Sequence, residues 1–168
     1  MIAYECETDG SAHLALVRGE LESALPDDPV LVRMHSHCLV GDVFGATWCD
    51  CHAIVDRSME LIAAQGRGAL IYLHHTARGY AVERTQEDDR KLLSFHREVR
   101  DPSRADHQRL IQREIGIGAQ ILRDLNLHRI RLLTNHPRKV AALEGFGVQI
   151  VEQVPIGVTK SPSHHVTK

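Results

Sequence analysis

The sequence lacks the features that mark membrane, secreted and nucleic-acid-binding proteins. No apolar run approaches the ~20 residues that a helix needs to cross a bilayer. The first ten residues, MIAYECETDG, hold acids where a secretory signal would hold Lys or Arg and then an apolar stretch. The formal net charge is only −2 with histidines neutral, which argues against a general nucleic-acid or membrane-surface binder. We therefore expect a cytoplasmic protein with reduced thiols and neither a nucleic-acid nor a membrane partner.

Internal repeats, linkers and low-complexity blocks are also absent from the 168 residues. The hydrophobic content of 43% and charged content of 25% are ordinary for a soluble globular protein. The length is sufficient for one domain with its own core. We expect a single domain over 1–168, with the core at about 14–155. The last residues, 157–168, have no apolar pattern and are expected to form a loose tail.

Cysteine is scarce, yet three of the four cysteines lie in one window of 14 residues. Cys38, Cys49 and Cys51 have ten and then one residue between them. A reducing compartment and the opposed side chains of adjacent residues argue against a disulfide. In a turn, three thiolates can instead hold one Zn²⁺ and leave a tetrahedral position open, as in catalytic sites. The alternative is that the cysteines are structural and the clustering is coincidental. Three histidines of the same stretch could close the metal shell: His35, His37 and His52.

The spacing of apolar residues predicts alternating strands and helices. Period-two patterns and short apolar runs predict strands at 13–19, 29–36, 68–74, 129–134 and 147–154. A helical period predicts helices at 53–65, 106–125 and 137–144, the first ending at Gly66. Residues 79–106 are polar without a clear period, and 83–91 could be an exposed helix. The fold class that follows is α+β, a mixed sheet with packed helices.

Four blocks of the sequence together resemble the GTP cyclohydrolase II family. They are VRMHSHCLVGDVFG followed by WCDC, then GRGALIYL, then GIGAQIL, then LLTNHPRKVAAL followed by GVQIVEQVP. The resemblance covers about residues 14–155. It implies the family's fold, a homodimer, and hydrolysis of GTP to formate, pyrophosphate and the pyrimidine precursor of riboflavin. The family's three cysteines hold a catalytic zinc, so the resemblance assigns Cys38, Cys49 and Cys51 as ligands, in agreement with their spacing.

The resemblance also implies roles for residues outside the cysteines. Arg33, His35 and Ser36 fall where the family contacts the nucleotide near the metal. Arg113 matches the family arginine proposed to attack the α-phosphorus. The alternative is that the basic side chains are solvated surface groups and that Thr134 caps a helix. Three further residues match contacts to phosphate: Arg78, Thr134 and Lys139.

Several family positions hold different residues in this chain. The catalytic aspartate of the family falls on Ile111, and the tyrosine before GIGAQIL falls on Ile115. Both isoleucines lie on the apolar stripe of a helix, and a hydrocarbon side chain cannot accept a proton. The glutamate of the family's HSEC block is His37. Ala77 and Ala81 replace glycines that let the backbone approach the nucleotide.

The middle segment, 79–110, lacks the family's catalytic tyrosine and its guanine-binding glutamate. A new base could come from acids of this region, although a charged surface is the simpler interpretation: Glu87, Asp88, Asp89 and Asp106. Imidazole titrates near working pH, so four histidines are the other candidates for proton transfer: His35, His37, His74 and His75.

We therefore expect a zinc-dependent hydrolase that opens a C–N bond of a small nitrogen heterocycle or cyclic amide other than GTP. The retained basic residues indicate an anionic substrate. The expected catalytic residues are Arg113, His35 and His37. The expected substrate-binding residues are Arg33, Ser36, Arg78, Thr134 and Lys139. Two alternatives stay open: a true GTP cyclohydrolase II, and a non-catalytic zinc protein that binds a metabolite or a partner.

Overall fold

The computed structural model describes residues 1–21, 28–47, 49–74, 79–83, 91–95, 104–136 and 141–158. For 79–83, 91–95, 104–111 and 141–142 it describes the backbone course alone. Three α-helices lie in these ranges: α1 Cys51–Gln65, α2 Arg104–Asp124 and α3 Ala141–Glu144. A π-helical turn, Leu39–Val43, precedes α1. Within the described residues, no helix combines the length and apolarity that a bilayer crossing needs.

Six strands form one mixed sheet. In spatial order they are β1 Ile2–Glu5, β2 Ala12–Arg18, β4 Gly68–Leu73, β3 Val30–Ser36, β7 Arg129–Leu133 and β8 Gln149–Val154. The four strands β4, β3, β7 and β8 are parallel. Strand β2 pairs antiparallel with β4, and β1 pairs antiparallel with β2. A separate hairpin pairs β5 Gly79–Glu83 with β6 Lys91–Phe95. The α+β fold with a mixed sheet and packed helices is therefore confirmed.

Helices cover both faces of the sheet. Alternate strand residues point to opposite faces, so each strand contributes apolar side chains to both. On one face, Val32 and Ile71 pack with Leu122 of α2 and Leu143 of α3. On the other face, Leu31 and Leu70 pack with Ile62 of α1. The central strands are consequently buried on both faces and read as continuous apolar runs.

The close approach of α2 to the sheet depends on a glycine. A methyl group at Gly118 would collide with the side chain of Met34 in β3 and would contact Leu73 in β4. The GIGAQIL block is therefore a packing surface, and it holds α2 directly over the two central strands.

The predicted elements are largely present, with ends shifted by up to two residues; of the helix predicted for 137–144, residues 141–144 are described and form α3. Helix α1 stops where Gly66 adopts a left-handed conformation with φ of 75°, as expected. The strand β1 and the π-helical turn were not predicted. Of the helix suggested for 83–91, only the two ends are described: Glu83 ends β5 and Lys91 begins β6, and residues 84–90 lie outside the described residues. Five-residue strands between charged residues carry too short an apolar pattern to be recognised.

The topology collects several chain segments at one edge of the sheet. Strands β3 and β4 are parallel and in register up to Ser36 opposite Leu73, so they end together. Strand β2 runs antiparallel to β4, so its first residues lie at the same edge. The turn between β1 and β2, the segment after β3 and the residues after β4 therefore meet there.

Candidate metal centre and its surroundings

The three cysteines of the motif converge at this edge. Cys38 follows β3, Cys49 lies in the loop after the π-helical turn, and Cys51 is the first residue of α1. Their sulfur atoms lie within 4.8 Å of one another. A tetrahedral zinc with Zn–S bonds of about 2.3 Å needs sulfurs about 3.8 Å apart, which this cluster can reach with small adjustments. None of the three forms a disulfide in the described part of the chain.

The loop around the sulfurs has no room for a side chain at Gly41. A Cβ atom there would lie 2.9 Å from Cys51 Cβ and 3.2 Å from Cys38 Sγ, and it would collide with Cys49 Sγ. The π-helical turn wraps closely over the three sulfurs because residue 41 is a glycine. A compact pocket lined by three soft sulfur donors suits Zn²⁺, so the residues present fit the metal that the resemblance implies.

Two of the three cysteines, Cys49 and Cys51, have pKa values raised by their surroundings. Burial raises the pKa of Cys51, and the nearby sulfurs of Cys38 and Cys49 raise it further. Burial likewise raises the pKa of Cys49, with Cys38 adding to the effect. A divalent cation would stabilise these groups as thiolates, because metal binding displaces their protons.

A buried aspartate lies beside the cluster and accepts several hydrogen bonds. The Asp42 carboxylate accepts from the main-chain N–H of Cys38 at 2.8 Å and from the Tyr72 hydroxyl at 2.7 Å. His35 Nε2 lies 3.0 and 3.1 Å from its two oxygens. Burial alone would raise the pKa of Asp42, but these hydrogen bonds outweigh burial and lower it. The aspartate is therefore ionised and held in a fixed orientation.

His35 and His37 differ in their surroundings. His35 is buried, stacks on Tyr72 with ring centroids 5.5 Å apart, and has no partner at Nδ1 among the described residues. His37 Nδ1 lies 2.9 Å from the Tyr72 hydroxyl, and its ring centroid is 5.0 Å from that of His74. Burial, and then His74, lower the pKa of His37, so its imidazole is neutral near pH 7.

The third histidine of the motif, His52, has its Nδ1 3.3 Å from the main-chain oxygen of Asp42, but among the described residues it belongs to no group of close ligand atoms. His52 is exposed on α1, and its Nε2 lies 3.2 Å from Asp56 one turn later. The non-thiol donors near a thiol are instead His35 and Asp42, whose ligand atoms lie within 4.8 Å of each other and of Cys51 Sγ.

Arg33 lies on the same face of β3 as His35. One of its terminal nitrogens donates to the main-chain oxygen of Leu133 at 3.1 Å, and its Nε is buried without a partner in the described part of the chain. Burial lowers the pKa of Arg33 to about 10, although the negative charge available at Cys51 acts in the opposite direction. A guanidinium therefore stands next to the thiol cluster, with hydrogen-bonding capacity to spare.

The middle of α2 brings two further charged groups to this edge. Ser36 donates from its hydroxyl to Glu114 Oε2 at 2.8 Å. Arg113, predicted to be catalytic, is exposed and forms an ion pair with Asp9 in the turn between β1 and β2. Ser36 is therefore hydrogen-bonded to Glu114, and Arg113 lies next to the turn between β1 and β2.

One further predicted residue follows the neighbouring strand β7, and others fall outside the described residues. Thr134 follows β7, where its main-chain N–H donates to Val154 O at 2.9 Å and its hydroxyl accepts from His136 N at 3.1 Å. That second bond is a local turn contact. Other predicted residues lie outside the described residues, or have side chains outside them: Arg78, Lys139, His75, Ile111, Glu87, Asp88, Asp89, Asp106 and residues 159–168.

Comparison with known protein families decides the ancestry of this site. A family model described as GTP cyclohydrolase II matches residues 1–155. The chain belongs to the GTP cyclohydrolase II family. This match confirms the resemblance seen in the sequence. Members of this family are hydrolases.

Curated relatives of this GTP cyclohydrolase II-family chain carry the name riboflavin biosynthesis protein RibBA. The protein from Cytophaga hutchinsonii is 39% identical over 96% of this chain and 39% of its own length. The one from Aquifex aeolicus is 39% identical over 98% of this chain and 40% of its own length. The one from Bacillus subtilis is 41% identical over 91% and 38%. The chain therefore spans about two fifths of the length of these relatives.

Three residues of the site were missed in the sequence: Asp42, Tyr72 and Glu114. Asp42 lies inside the quoted block around Cys38. An acid only four residues after a candidate metal ligand could have been identified from the sequence. Tyr72 and Glu114 lie 34 and 76 residues after Cys38, and only the pairing of β3 with β4 and the packing of α2 bring them to the site. Ile115 packs partly buried against the core, as its place on the apolar stripe predicted.

Proposed function

We propose that this GTP cyclohydrolase II-family chain is a zinc-dependent hydrolase that opens a C–N bond of a small, anionic nitrogen heterocycle or cyclic amide. The observation that carries the proposal is the set of three sulfurs within 4.8 Å at the edge where β3 and β4 end. Cys38, Cys49 and Cys51 would hold the ion. When bound, Zn²⁺ supplies a Lewis acid for hydrolysis.

The surrounding side chains would bind the substrate and move protons. His37 is neutral at pH 7, and its ring lies at the rim, so it can accept a proton from a bound reactant. His35 would act from the interior, with its orientation held by Asp42. Arg33 offers donors near the cluster, Ser36 offers its hydroxyl oxygen as an acceptor while it donates to Glu114, and Arg113 brings positive charge to the same edge. Arg78, Thr134 and Lys139 are proposed as contacts to the anionic group of the substrate.

A substrate other than GTP is proposed because of the replaced residues. Ile111 stands where the family has its aspartate base, and Ile115 is committed to core packing. His37 stands where the family has a glutamate. The chain is proposed to be cytoplasmic and homodimeric, as the family resemblance and the sequence composition favour.

A second candidate function is standard GTP cyclohydrolase II activity in riboflavin synthesis. The relatives at 38 to 41% identity are named riboflavin biosynthesis proteins, which favours this candidate. The retained thiols and Arg113 are compatible with it. The two candidates differ in substrate and share the metal.

A substrate panel on purified, zinc-loaded protein separates them. The panel contains GTP, dGTP and free purines beside cyclic ureas and lactams, with the Cys49→Ser variant as the metal-deficient control. We expect hydrolysis of a non-GTP compound and GTP turnover well below about 1 per second. GTP turnover at or above that rate supports the second candidate. Absence of zinc from reduced, unchelated protein contradicts both.

A further inference from the structure

The Asp42 carboxylate connects three parts of the metal centre that come from different elements. Its hydrogen-bond donors are the main chain of Cys38 after β3, the ring of His35 within β3, and the hydroxyl of Tyr72 in β4. The side chain is only 8% exposed. Removal of the carboxylate would leave all three donors facing a buried, unfilled space.

We propose that Asp42 is the positioning residue of the metal centre: from just outside the ligand set, its carboxylate orients Cys38 and His35 through hydrogen bonds. This inference rests on the proposed zinc site. Hydrogen bonds to the groups that carry or neighbour the ligands commonly change metal affinity by about 10- to 100-fold. The N–H of Cys38 belongs to a ligand residue itself, so the bond acts on the ligand directly.

The geometry argues against Asp42 as a ligand. In the described part of the chain, the three sulfurs form one group of mutually close ligand atoms, and Asp42 belongs only to a second group with His35 and Cys51. Cys38, Tyr72 and His35 all contact one oxygen of Asp42, and His35 also contacts the other. A carboxylate that bound zinc at about 2.0–2.2 Å would have to share these oxygens between the ion and the donors.

Hydrogen bonding, and not charge, should be the contribution of Asp42. All three donors reach the carboxylate through hydrogen bonds that a neutral amide of the same shape can largely reproduce. Asparagine has the same shape, and its amide oxygen can still accept from Cys38 N–H. The same amide oxygen can also accept from the Tyr72 hydroxyl, since both donors reach one oxygen of Asp42, and the amide nitrogen can donate to His35 in its other tautomer. Asp42→Asn should therefore retain the metal that Asp42→Ala loses.

The test measures Zn²⁺ affinity of the full chain by competition with a chelating dye, together with the absorption spectrum of the Co²⁺-substituted protein. For Asp42→Ala we expect Zn²⁺ affinity to fall by about 10- to 100-fold and the Co²⁺ bands to broaden. For Asp42→Asn we expect affinity and bands close to those of the unmodified protein. Asp56→Asn, which changes an exposed acid on α1, is the matched control and should have no effect.

Two results would overturn the inference. Unchanged affinity in Asp42→Ala would show that the carboxylate does not orient the ligands. Equal losses in the alanine and asparagine variants, with the same altered Co²⁺ spectrum, would show that the carboxylate is a ligand. Failure of the unmodified protein to bind zinc would instead contradict the proposed function, so the two failures are distinguishable.

A second variant keeps the test informative if Asp42→Ala does not fold. Tyr72→Phe removes one donor to Asp42 and keeps the ring that stacks on His35. We expect it to weaken Zn²⁺ binding by about fivefold, the loss of one hydrogen bond. Tyr4→Phe makes the same chemical change where the hydroxyl contacts Asp124, and it should leave zinc affinity unchanged. Equal affinity in the two variants would contradict the inference.

Discussion

Gly41 shows how a single residue can decide whether the metal centre forms. The turn that carries it lies so close to the three sulfurs that an added methyl group would need space held by Cys49 and Cys51. Any side chain at residue 41 would therefore obstruct the convergence of the three sulfurs. Its requirement for glycine comes from steric contact alone.

Replacement of Gly41 by alanine should displace the loop and reduce zinc content. We expect Zn²⁺ affinity to fall by at least about tenfold, since ligand positions must hold to a few tenths of an ångström. Metal analysis of the purified protein measures the effect. Gly116→Ala is the matched control: its Cβ would meet Phe146 at an ordinary 3.5 Å, and alanine favours the helix. Full zinc content in Gly41→Ala would contradict the expected collision.

Lys139 provides a residue-scale test of the anionic substrate. If it binds the anion, Lys139→Ala should raise the KM for the panel compound by about 10- to 100-fold and leave zinc content intact, because a charged contact contributes about 1.5–3 kcal/mol. The alternative is an ion pair with the acids at 87–89, in which case the Tm falls and KM stays constant. Arg57→Ala, at an exposed base paired with Glu60, is the control for a lost surface charge.

At the scale of elements, the first strand is tied to the second helix by a polar contact. Tyr4 in β1 donates its hydroxyl to Asp124 at the end of α2 at 2.8 Å. Burial, and then Asp124, raise the pKa of Tyr4 to about 12. An edge strand of four residues has few other means of attachment, so this bond should contribute to its docking.

The Tyr4 contact predicts a specific loss of stability in alkali. The unfolded chain ionises Tyr4 near pH 10 and the folded protein only near 12, so the contribution is complete below pH 10 and lost as pH rises to 12. Tyr4→Phe should lower the free energy of unfolding by about 1 kcal/mol at pH 8, after allowance for solvent screening. Urea unfolding at pH 8 and pH 11.5 measures both proteins. A difference that persists undiminished at pH 11.5 would contradict the assignment.

At the scale of the whole molecule, the family resemblance predicts a homodimer. The chain has a mass of 18.8 kDa, so light scattering after size exclusion should give about twice that mass. The Cys49→Ser variant, measured beside it, shows whether the metal is needed for association. A mass equal to one chain at micromolar concentration would contradict the prediction.

Much of this molecule could be predicted from local sequence, because its central strands and helices carry strong periodic signals. The alternation at β3 and the apolar run at β4 located these strands to within a residue or two, and Gly66 marked the end of α1. The spacing of Cys38, Cys49 and Cys51 predicted a common site, and their sulfurs do converge. In each case the signal lies within a few residues of the feature that it predicts.

Only the tertiary structure decided what surrounds the cysteines. Tyr72 and Glu114 reach the site through strand pairing and helix packing over long sequence separations, and no local pattern encodes such contacts. His52 was as near in sequence as His35, but the helical turn carries it outward to Asp56 while the strand buries His35 beside Asp42. Side-chain direction depends on the backbone around a residue. The sequence by itself therefore determined the family and predicted the three candidate metal donors, and packing determined which polar groups surround them.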